Sequence, residues 1–363
     1  MCSNPDAEML TAVPSEAHAR GLVLRILTLL FLGVIAAITA LAQEQPRRIG
    51  SIDFYGQANL NLDPIKGALP LHVGEQFAGS SETIDGIRKA VTSVIGRPPT
   101  DVAPVCCDPQ GNFMIYIGLP GSSIKQIKYR RVPKGKARFP AKIIELYKQT
   151  MDASSAAVLR GAASEDNSQG YALSTSDSDL RSKQLAARAY AIQHERLIRT
   201  VLDTSSDAQQ RIVAAHLLGY ARQSTQQIAY LVRASQDPDE TVRNNGTRAL
   251  GLLAESSAKV AARIPAGGFI TMLSSGSWTD RNKAGWVLTA LTKSRDPKLL
   301  VRLRSEAWVA LIEMARWRNA GHAYNARILL ARIAGIEEER AERLANAASA
   351  DELMNVLRNR PNN

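Results

Sequence analysis

A pattern that repeats along residues 207–291 most constrains how this chain can fold. The segment DAQQRIVAAHLLG (207–219) matches DETVRNNGTRALG (239–251) at a spacing of 32 residues, and DRNKAGWVLTAL (280–291) follows at a spacing of about 38. A period of roughly 30–45 residues predicts stacked repeats, because each unit can bury its apolar face only against its neighbours. A fainter fourth copy spans 323–331. The matching positions are Asp207 and Asp239, then Arg211, Arg243 and Arg281, then Gly219 and Gly251.

Each repeat is predicted to contain two helices joined by a tight turn. In the second copy, Asp237 is expected to cap a helix, with Pro238 at its first position and Glu240 completing a capping box. Small and apolar residues then recur with a helical period and form one buried face, which suits close helix contacts. That face comprises Val242, Gly246, Ala249, Leu250 and Leu253. The low aromatic content of 5% also favours close-packed helices over a β-sandwich.

The motif D-x-x-V-R-x-x-(small)-x-x-A-L-G resembles the HEAT repeat, and the resemblance covers residues 180–336. It implies an α-solenoid in which a turn aspartate and the arginine after it hold neighbouring repeats together. Asp207 with Arg211, and Asp239 with Arg243, fit that pattern.

The third copy departs from the motif, because Asp280 directly precedes Arg281. Ser277 is the expected helix cap there, which leaves the Asp–Arg pairing of this copy open. The charged tail, residues 337–363, is predicted to be a helix that caps the open end of the stack.

Residues 47–121 predict a small domain with the order β-α-α-β-β. Alternating apolar residues indicate a first strand at 48–56, helical periodicity indicates a helix at 81–95, and two strands are expected at 101–107 and 112–118. With the motifs I-x-F-x-G and L-x-V-G-E-x-F, this order resembles a POTRA domain. The resemblance implies a protein-binding module whose exposed sheet edge can pair with a partner strand. It carries over no catalytic residue, and it does not imply barrel assembly, since no outer-membrane barrel follows.

Residues 1–42 are predicted to be an export signal or an N-terminal membrane anchor. The stretch 22–42 is strongly apolar and ends in Ala40-Leu-Ala42, an A-x-A site for signal peptidase. Cleavage after Ala42 is the favoured interpretation, and an uncut anchor is the alternative because the segment is long. Both place the rest of the chain outside the cytoplasm, either periplasmic or secreted, or anchored in the membrane.

Residues 122–179 are predicted to connect the two folded parts. A dense basic run at 125–138 is a candidate for binding phosphate groups or anionic lipid, although a solvated linker is the favoured interpretation. A helix is expected after Phe139-Pro140, and residues 161–179 have the composition of a polar loop. The candidate binding residues in the basic run are Lys125, Lys128, Arg130 and Arg131.

Cys106 and Cys107 are adjacent, and Cys2 would leave with a cleaved leader. A bond between neighbouring cysteines closes a strained ring. The pair is therefore expected to be two small apolar strand residues, with a redox switch as the alternative.

Tryptophan is confined to the third and fourth repeats, where it occupies positions 278, 286, 308 and 317. Tryptophan is a common interface anchor, so Trp278, Trp308 and Trp317 are candidates for a concave binding groove. Filling of the core between repeats is the alternative.

The sequence contains no H-x-x-x-H pair, no G-x-S-x-G motif and no glycine-rich phosphate loop. His194 lies among alanine and leucine on a helical face and is expected to be a packed side chain. We therefore expect a protein that is not an enzyme and has no cofactor or bound metal.

The sequence as a whole predicts a mainly α protein, a HEAT-like α-solenoid preceded by a small POTRA-like α+β domain. Its expected role is an exported scaffold that binds a protein or peptide partner. A net charge of +11 also suits nucleic acid, an anionic membrane or an acidic protein. The alternatives are a HEAT-like enzyme or nucleic-acid-binding protein, similar to bilin lyases or DNA glycosylases, and a membrane-anchored adaptor. An exported protein does not meet genomic DNA, so nucleic acid is the less favoured partner.

Overall fold

Alternation of buried and half-buried side chains along Ile49–Tyr55 produces strand β1 of a three-stranded sheet. Strands β2 (Asp101–Cys106) and β3 (Phe113–Gly118) complete it in the order β1-β3-β2, with β3 parallel to β1 and antiparallel to β2. Helices α1 (Asp63–Ala68) and α2 (Ser81–Ile95) lie between β1 and β2 in the chain. The computed structural model describes residues 47–57 and 60–359, so the predicted leader with Ala40 and Ala42 lies outside the described residues.

The two faces of the sheet belong to different cores. Ile115 and Ile117 of β3 are buried with Ile87 and Val91 of α2 in one apolar cluster. Tyr116, between them on the strand, belongs instead to the main core of the helical part. The sheet is therefore covered by α1 and α2 on one side and by the remaining helices on the other.

The rest of the described chain is almost entirely helical, which confirms the predicted mainly α class. Helix α3 is joined to α4 by a loop that contains a two-stranded antiparallel ribbon, β4 (Glu165–Asp166) with β5 (Leu173–Ser174). A 3-10 turn at Thr292–Ser294 separates α10 from α11. The helices are α3 (Ala141–Leu159), α4 (Ser178–Thr204), α5 (Ala208–Gly219), α6 (Thr225–Ala234), α7 (Glu240–Ser256), α8 (Ala258–Ala261), α9 (Gly267–Met272), α10 (Trp278–Leu291), α11 (Pro297–Ala315), α12 (Ala320–Ile333), α13 (Glu338–Asn346) and α14 (Asp351–Arg358).

Successive helices pack as antiparallel neighbours, α4 with α5, α6 with α7, and α11 with α12. The second helices of these pairs, α5, α7, α10 and α12, also pack side by side in one layer. Gly246 shows how close these contacts are, because a Cβ atom at this position would lie 2.7 Å from the Cβ of Ala234 on α6. In the pair that ends with α10, the first helix is replaced by two short helices, α8 and α9, with Pro265 between them.

The structure corrects the predicted start of α7. The helix begins at Glu240, and its N-cap is Asp239, whose side chain accepts a hydrogen bond from the Val242 N–H. Asp237 is not the cap because its carboxylate binds the guanidinium of Arg211. Pro238 therefore precedes the helix and does not occupy its first turn.

Two further details differ from the sequence-based expectations. The charged tail forms two helices, α13 and α14, and not one. Cys106 and Cys107 are joined by a disulfide, whereas two unbonded strand residues were expected. Among the described residues, no helix is both long and apolar enough to cross a bilayer.

Candidate functional site

Three buried arginines form a ladder along the layer of second helices. Arg211 on α5 donates from Nε and Nη2 to the two carboxylate oxygens of Asp237, each at 2.9 Å. Arg243 on α7 donates in the same way to Asp280, and Arg281 on α10 donates from Nη1 to Glu313 at 3.0 Å. Each arginine thus joins its own helix to a carboxylate that lies 26, 37 or 32 residues further along the chain.

Each arginine of the ladder also binds the turn that precedes its own helix. Arg211 donates to the carbonyl of Ser205, Arg243 to that of Asp237, and Arg281 to that of Ser275, at 2.7–3.1 Å. Guanidinium has five donors in a rigid plane, so it can bind a carboxylate and backbone carbonyls together. The ladder therefore fixes each turn against the next pair of helices.

The arginines named from the sequence are those of the ladder, but their expected partners are not. Asp207 and Asp239 cap α5 and α7 by accepting the N–H groups of Gln209 and Val242. Asp280 pairs with Arg243 of the preceding copy and not with its neighbour Arg281.

The two glycines of the repeat motif lie where neighbouring helices come closest. A Cβ at Gly219 would lie 3.0 Å from the Cβ of Ala249, and one at Gly251 would lie 3.0 Å from the ring of Trp286. They therefore allow α5 to approach α7, and α7 to approach α10.

The basic connector is bound along the same row of turns, and we call residues 122–139 the strap. Its backbone N–H groups at Lys125, Arg130 and Gly135 donate to the carbonyls of Ser274, Gln236 and Thr204, at 2.9, 2.8 and 2.7 Å. The strap thus crosses three successive turns in the reverse of their chain order. The expected linker is therefore held to the turns at three backbone positions, while most of the residues at 125–138 are exposed to solvent as expected.

The side chains of the strap face two environments. Arg130 is half-buried and pairs with Asp203 at 3.1 Å, and the Lys125 ammonium donates to the Glu306 carbonyl at 2.6 Å. Lys128 and Arg131 are exposed. Only part of the predicted basic surface is therefore open to a ligand.

Tyr129 of the strap joins the ladder, which the sequence did not predict. Its ring lies under the Arg243 guanidinium, with 4.0 Å between the ring centroid and Cζ, and its hydroxyl donates to Asp280 at 2.9 Å. Burial and the nearby Asp280 carboxylate raise the pKa of Tyr129 to about 12, so the hydroxyl stays a donor at neutral pH.

Two of the candidate tryptophans lie in the contact between the sheet and the helices. Trp317 is 1% exposed, and Trp278 is stacked on Tyr116 of β3 with ring centroids 5.0 Å apart. The expectation that Trp278 and Trp317 line an open groove is therefore wrong, because the sheet covers them. Trp308 on α11 remains half-buried at the surface.

Carboxylates of the sheet bind the starts of two helical segments. Asp101 accepts the N–H of Trp278 at 2.8 Å, the first residue of α10, and Asp53 accepts the N–H of Arg318 at 3.2 Å, shortly before α12. Burial raises the pKa of both groups, that of Asp53 to about 6. Ser277 at the start of α10 makes no side-chain cap, so Asp101 replaces it there.

Stability should fall slightly as the pH rises through the range in which Asp53 ionises. Since its pKa rises from 3.8 in water to about 6 in the folded chain, the folded state holds the proton more tightly between these values. The unfolding free energy should therefore decrease from about pH 5 to about pH 7 by about 1 kcal/mol because of this group. Urea unfolding of wild type and Asp53→Asn across this range measures the difference, and the exposed Asp63→Asn serves as control. A difference that is constant with pH would contradict the assignment.

A cavity of about 330 Å³ lies between α3, the β4–β5 ribbon and the helices α4, α5 and α7. Its polar lining includes His216, Asn244, Asn245 and Arg248, and Glu165 of the ribbon binds Arg248 at 2.5 Å. Burial and the Arg248 charge lower the pKa of His216 to about 4, so its ring is neutral at pH 7. No sequence pattern indicates this site, because its residues share no motif and Glu165 and Arg248, which bind each other, are 83 positions apart.

Two other histidines, His194 and His322, serve in packing. His194 lies at a kink in α4, against Tyr190 with ring centroids 4.4 Å apart. His322 binds the Tyr116 hydroxyl at 2.6 Å, and burial lowers its pKa to about 4. Within residues 47–57 and 60–359, no group of three His, Cys, Asp or Glu residues is placed to hold a metal ion.

A comparison of the sequence with protein-family models gives no match, and a search among curated proteins also gives none. The class that the structure defines is a mainly α protein with a small mixed sheet, in which buried arginines and an extended strap join successive helical pairs.

Proposed function

We propose that this chain is an exported, non-enzymatic interaction protein that binds an acidic protein partner through the outer face of α11. One observation carries the proposal. Val301 is 67% exposed and Val309 is 48% exposed, and the half-buried Trp308 lies two helical turns after Val301 on the same side of the helix. Exposed apolar clusters with an aromatic anchor are typical of protein interfaces.

The charge around this face supports an acidic partner. Arg302 and Arg304 are exposed on α11, and the exposed Lys125 of the strap binds the backbone of the same helix. A basic rim around an apolar centre speeds association with a negatively charged surface and selects against basic ones. The net charge of +11 also favours an acidic partner.

We also propose a specific type of fold for each of the two parts of the molecule. The helical pairs with their arginine ladder support a HEAT-like α-solenoid, and the order β1-α1-α2-β2-β3 supports a POTRA-like module. In both resemblances the known role is to bind proteins. Both β1 and β2 are edge strands, but Arg47 and Ile49 at the start of β1 are hydrogen-bonded to the segment 74–77, so the outer edge of β2 is the one that such a module would offer to a partner strand.

The place of action is tested by cell fractionation and by reading the mature N-terminus by mass spectrometry. We expect a chain that starts at Gln43 in the soluble exported fraction. An intact leader in the membrane fraction would make the protein an anchored adaptor. A cytosolic, uncut chain would contradict export.

The interface is tested by a photo-crosslinking amino acid at Val309 in the cells that produce the protein. We expect one discrete crosslinked species, which is lost when Val301→Glu is added. The matched control is a crosslinker at Leu185 on α4, which is apolar and 45% exposed. Equal crosslinking at both positions, none at Val309, or catalytic turnover by the purified chain would contradict the proposal.

Nucleic acid is a second candidate partner, because one observation favours it. Lys128, Arg131, Lys134 and Lys136 are all exposed along the strap. If they bind phosphates, affinity for duplex DNA should fall steeply with salt, by roughly one unit of log–log slope per phosphate contact. Replacing Lys128 and Arg131 with glutamine should reduce that slope. An affinity that does not change with salt concentration would exclude this role.

A further inference from the structure

The cavity between α3 and the second helices has both polar and apolar side chains in its lining. His216, Asn245 and Arg248 are among the polar ones, and Met151 and Leu180 are among the apolar ones. A volume of about 330 Å³ is within the range of small-molecule sites. Sites of this kind use a few convergent polar groups to orient a ligand whose remainder is buried in apolar contacts.

The polar residues of the lining include one cation with free donors. Arg248 binds Glu165 through Nη2 alone, at 2.8 and 2.5 Å, and no other hydrogen bond from its guanidinium is recorded among the described residues. Burial and the Arg248 charge lower the pKa of Lys283 to about 8, so this ammonium is still mostly charged at pH 7. Lys283 does not line the cavity, and the Arg248 side chain is 35% exposed, so Arg248 is the one cation of the lining that a ligand can bind directly.

His216 supplies an unused polar atom at the same place. The residue as a whole is half-buried, and its Nε2 atom is enclosed and has no hydrogen-bond partner within the described part of the chain. A buried polar atom without a partner costs free energy, of the order of 1–3 kcal/mol. A ligand oxygen that accepts a hydrogen bond from the Nε2–H tautomer would remove that cost.

We propose that this cavity binds a small organic carboxylate with a short apolar chain. The carboxylate binds the free donors of Arg248 and the Nε2–H of His216, and the chain lies against Met151 and Leu180. Arg248 is the single cation of the lining, and its donors other than Nη2 are left for one carboxylate, which selects a monocarboxylate. This site is separate from the face of α11 and does not depend on the proposed partner.

Substitutions of Glu165 and Arg248 test the proposal, because they should change the affinity for the ligand in opposite directions. The Glu165 carboxylate competes with the ligand for Arg248 and repels it, so Glu165→Gln should tighten binding by about tenfold. Arg248→Gln should weaken binding by about tenfold to a hundredfold, since it removes a charge-assisted hydrogen bond. A merely structural role for this ion pair would make both variants lose affinity.

The experiment is calorimetric titration of the full-length protein with acetate, butanoate and hexanoate. Affinity should rise by about fourfold per added methylene, as expected for burial of an apolar chain. Hexan-1-ol tests the need for the charge and should not bind measurably. Arg343→Gln, which alters an exposed arginine outside the cavity, is the control and should bind hexanoate as wild type does.

Thermal unfolding of each variant shows whether it is folded, and hexanoate should raise the melting temperature of wild type and Glu165→Gln. The proposal is overturned if neither of these two proteins binds hexanoate. It is equally overturned if a folded Arg248→Gln binds hexanoate as wild type does, or if hexan-1-ol binds as well as hexanoate.

Discussion

Replacing Asp280 with alanine is expected to lower the free energy of unfolding by about 3–5 kcal/mol. Asp280 is 1% exposed and accepts hydrogen bonds from Arg243, from the Tyr129 hydroxyl and from Ser275 Oγ. Its removal leaves the Arg243 guanidinium buried without a counter-ion. It also frees the strap at Tyr129, so one change acts on two contacts that lie far apart in the chain.

Urea unfolding followed by circular dichroism measures this loss. Asp179→Ala is the matched control, because the Asp179 carboxylate is mostly exposed and pairs with Lys183 in the same helix. Exposed pairs of this kind contribute roughly 0–1 kcal/mol. If Asp280→Ala is no less stable than Asp179→Ala, the ladder does not hold the repeats together.

The repeat in the sequence predicted the donors of this ladder but not its acceptors. Arg211, Arg243 and Arg281 recur because each must reach back to the carbonyls of its own turn, and that distance along the chain is nearly constant. A long arginine side chain can bind any carboxylate that comes within about 3 Å. The acceptors therefore lie at different places, Asp237 in a turn and Glu313 on a helix.

The position of the strap could not be predicted for a related reason. Its basic and proline-containing sequence has no periodicity, so local rules indicate a loop. The strap is held by backbone hydrogen bonds to turns that lie far away along the chain. The separation is 69 positions between Gly135 and Thr204 and 149 positions between Lys125 and Ser274. Burial of Trp278 and Trp317 likewise depends on the sheet that covers them, and residue type alone does not distinguish an interface anchor from a core residue.

Glu313 is expected to be the second position of large effect, because it joins three parts of the molecule. Its carboxylate accepts hydrogen bonds from Arg281 at 3.0 Å, from Ser123 Oγ of the strap at 2.8 Å and from the Gly56 N–H at the end of β1 at 3.1 Å. Glu313→Ala should therefore cost about 3–5 kcal/mol of unfolding free energy, since Arg281 is buried and would lose its counter-ion. Amide hydrogen exchange at Gly56 should become faster in the same variant.

A glutamine at position 313 separates the two functions of the carboxylate. It keeps an oxygen for the Gly56 N–H but removes the negative charge, so Glu313→Gln should lose stability while Gly56 stays protected from exchange. Glu306→Ala on the same helix is the control, because Glu306 forms a surface pair with Arg302 and should contribute less than about 1 kcal/mol. Unchanged protection of Gly56 in Glu313→Ala would mean that the sheet is held to the helices by apolar packing around Tyr116, Trp278 and Trp317. If Glu313→Ala is destabilised and Glu313→Gln is as stable as wild type, the hydrogen bonds of residue 313 stabilise the fold and its negative charge does not.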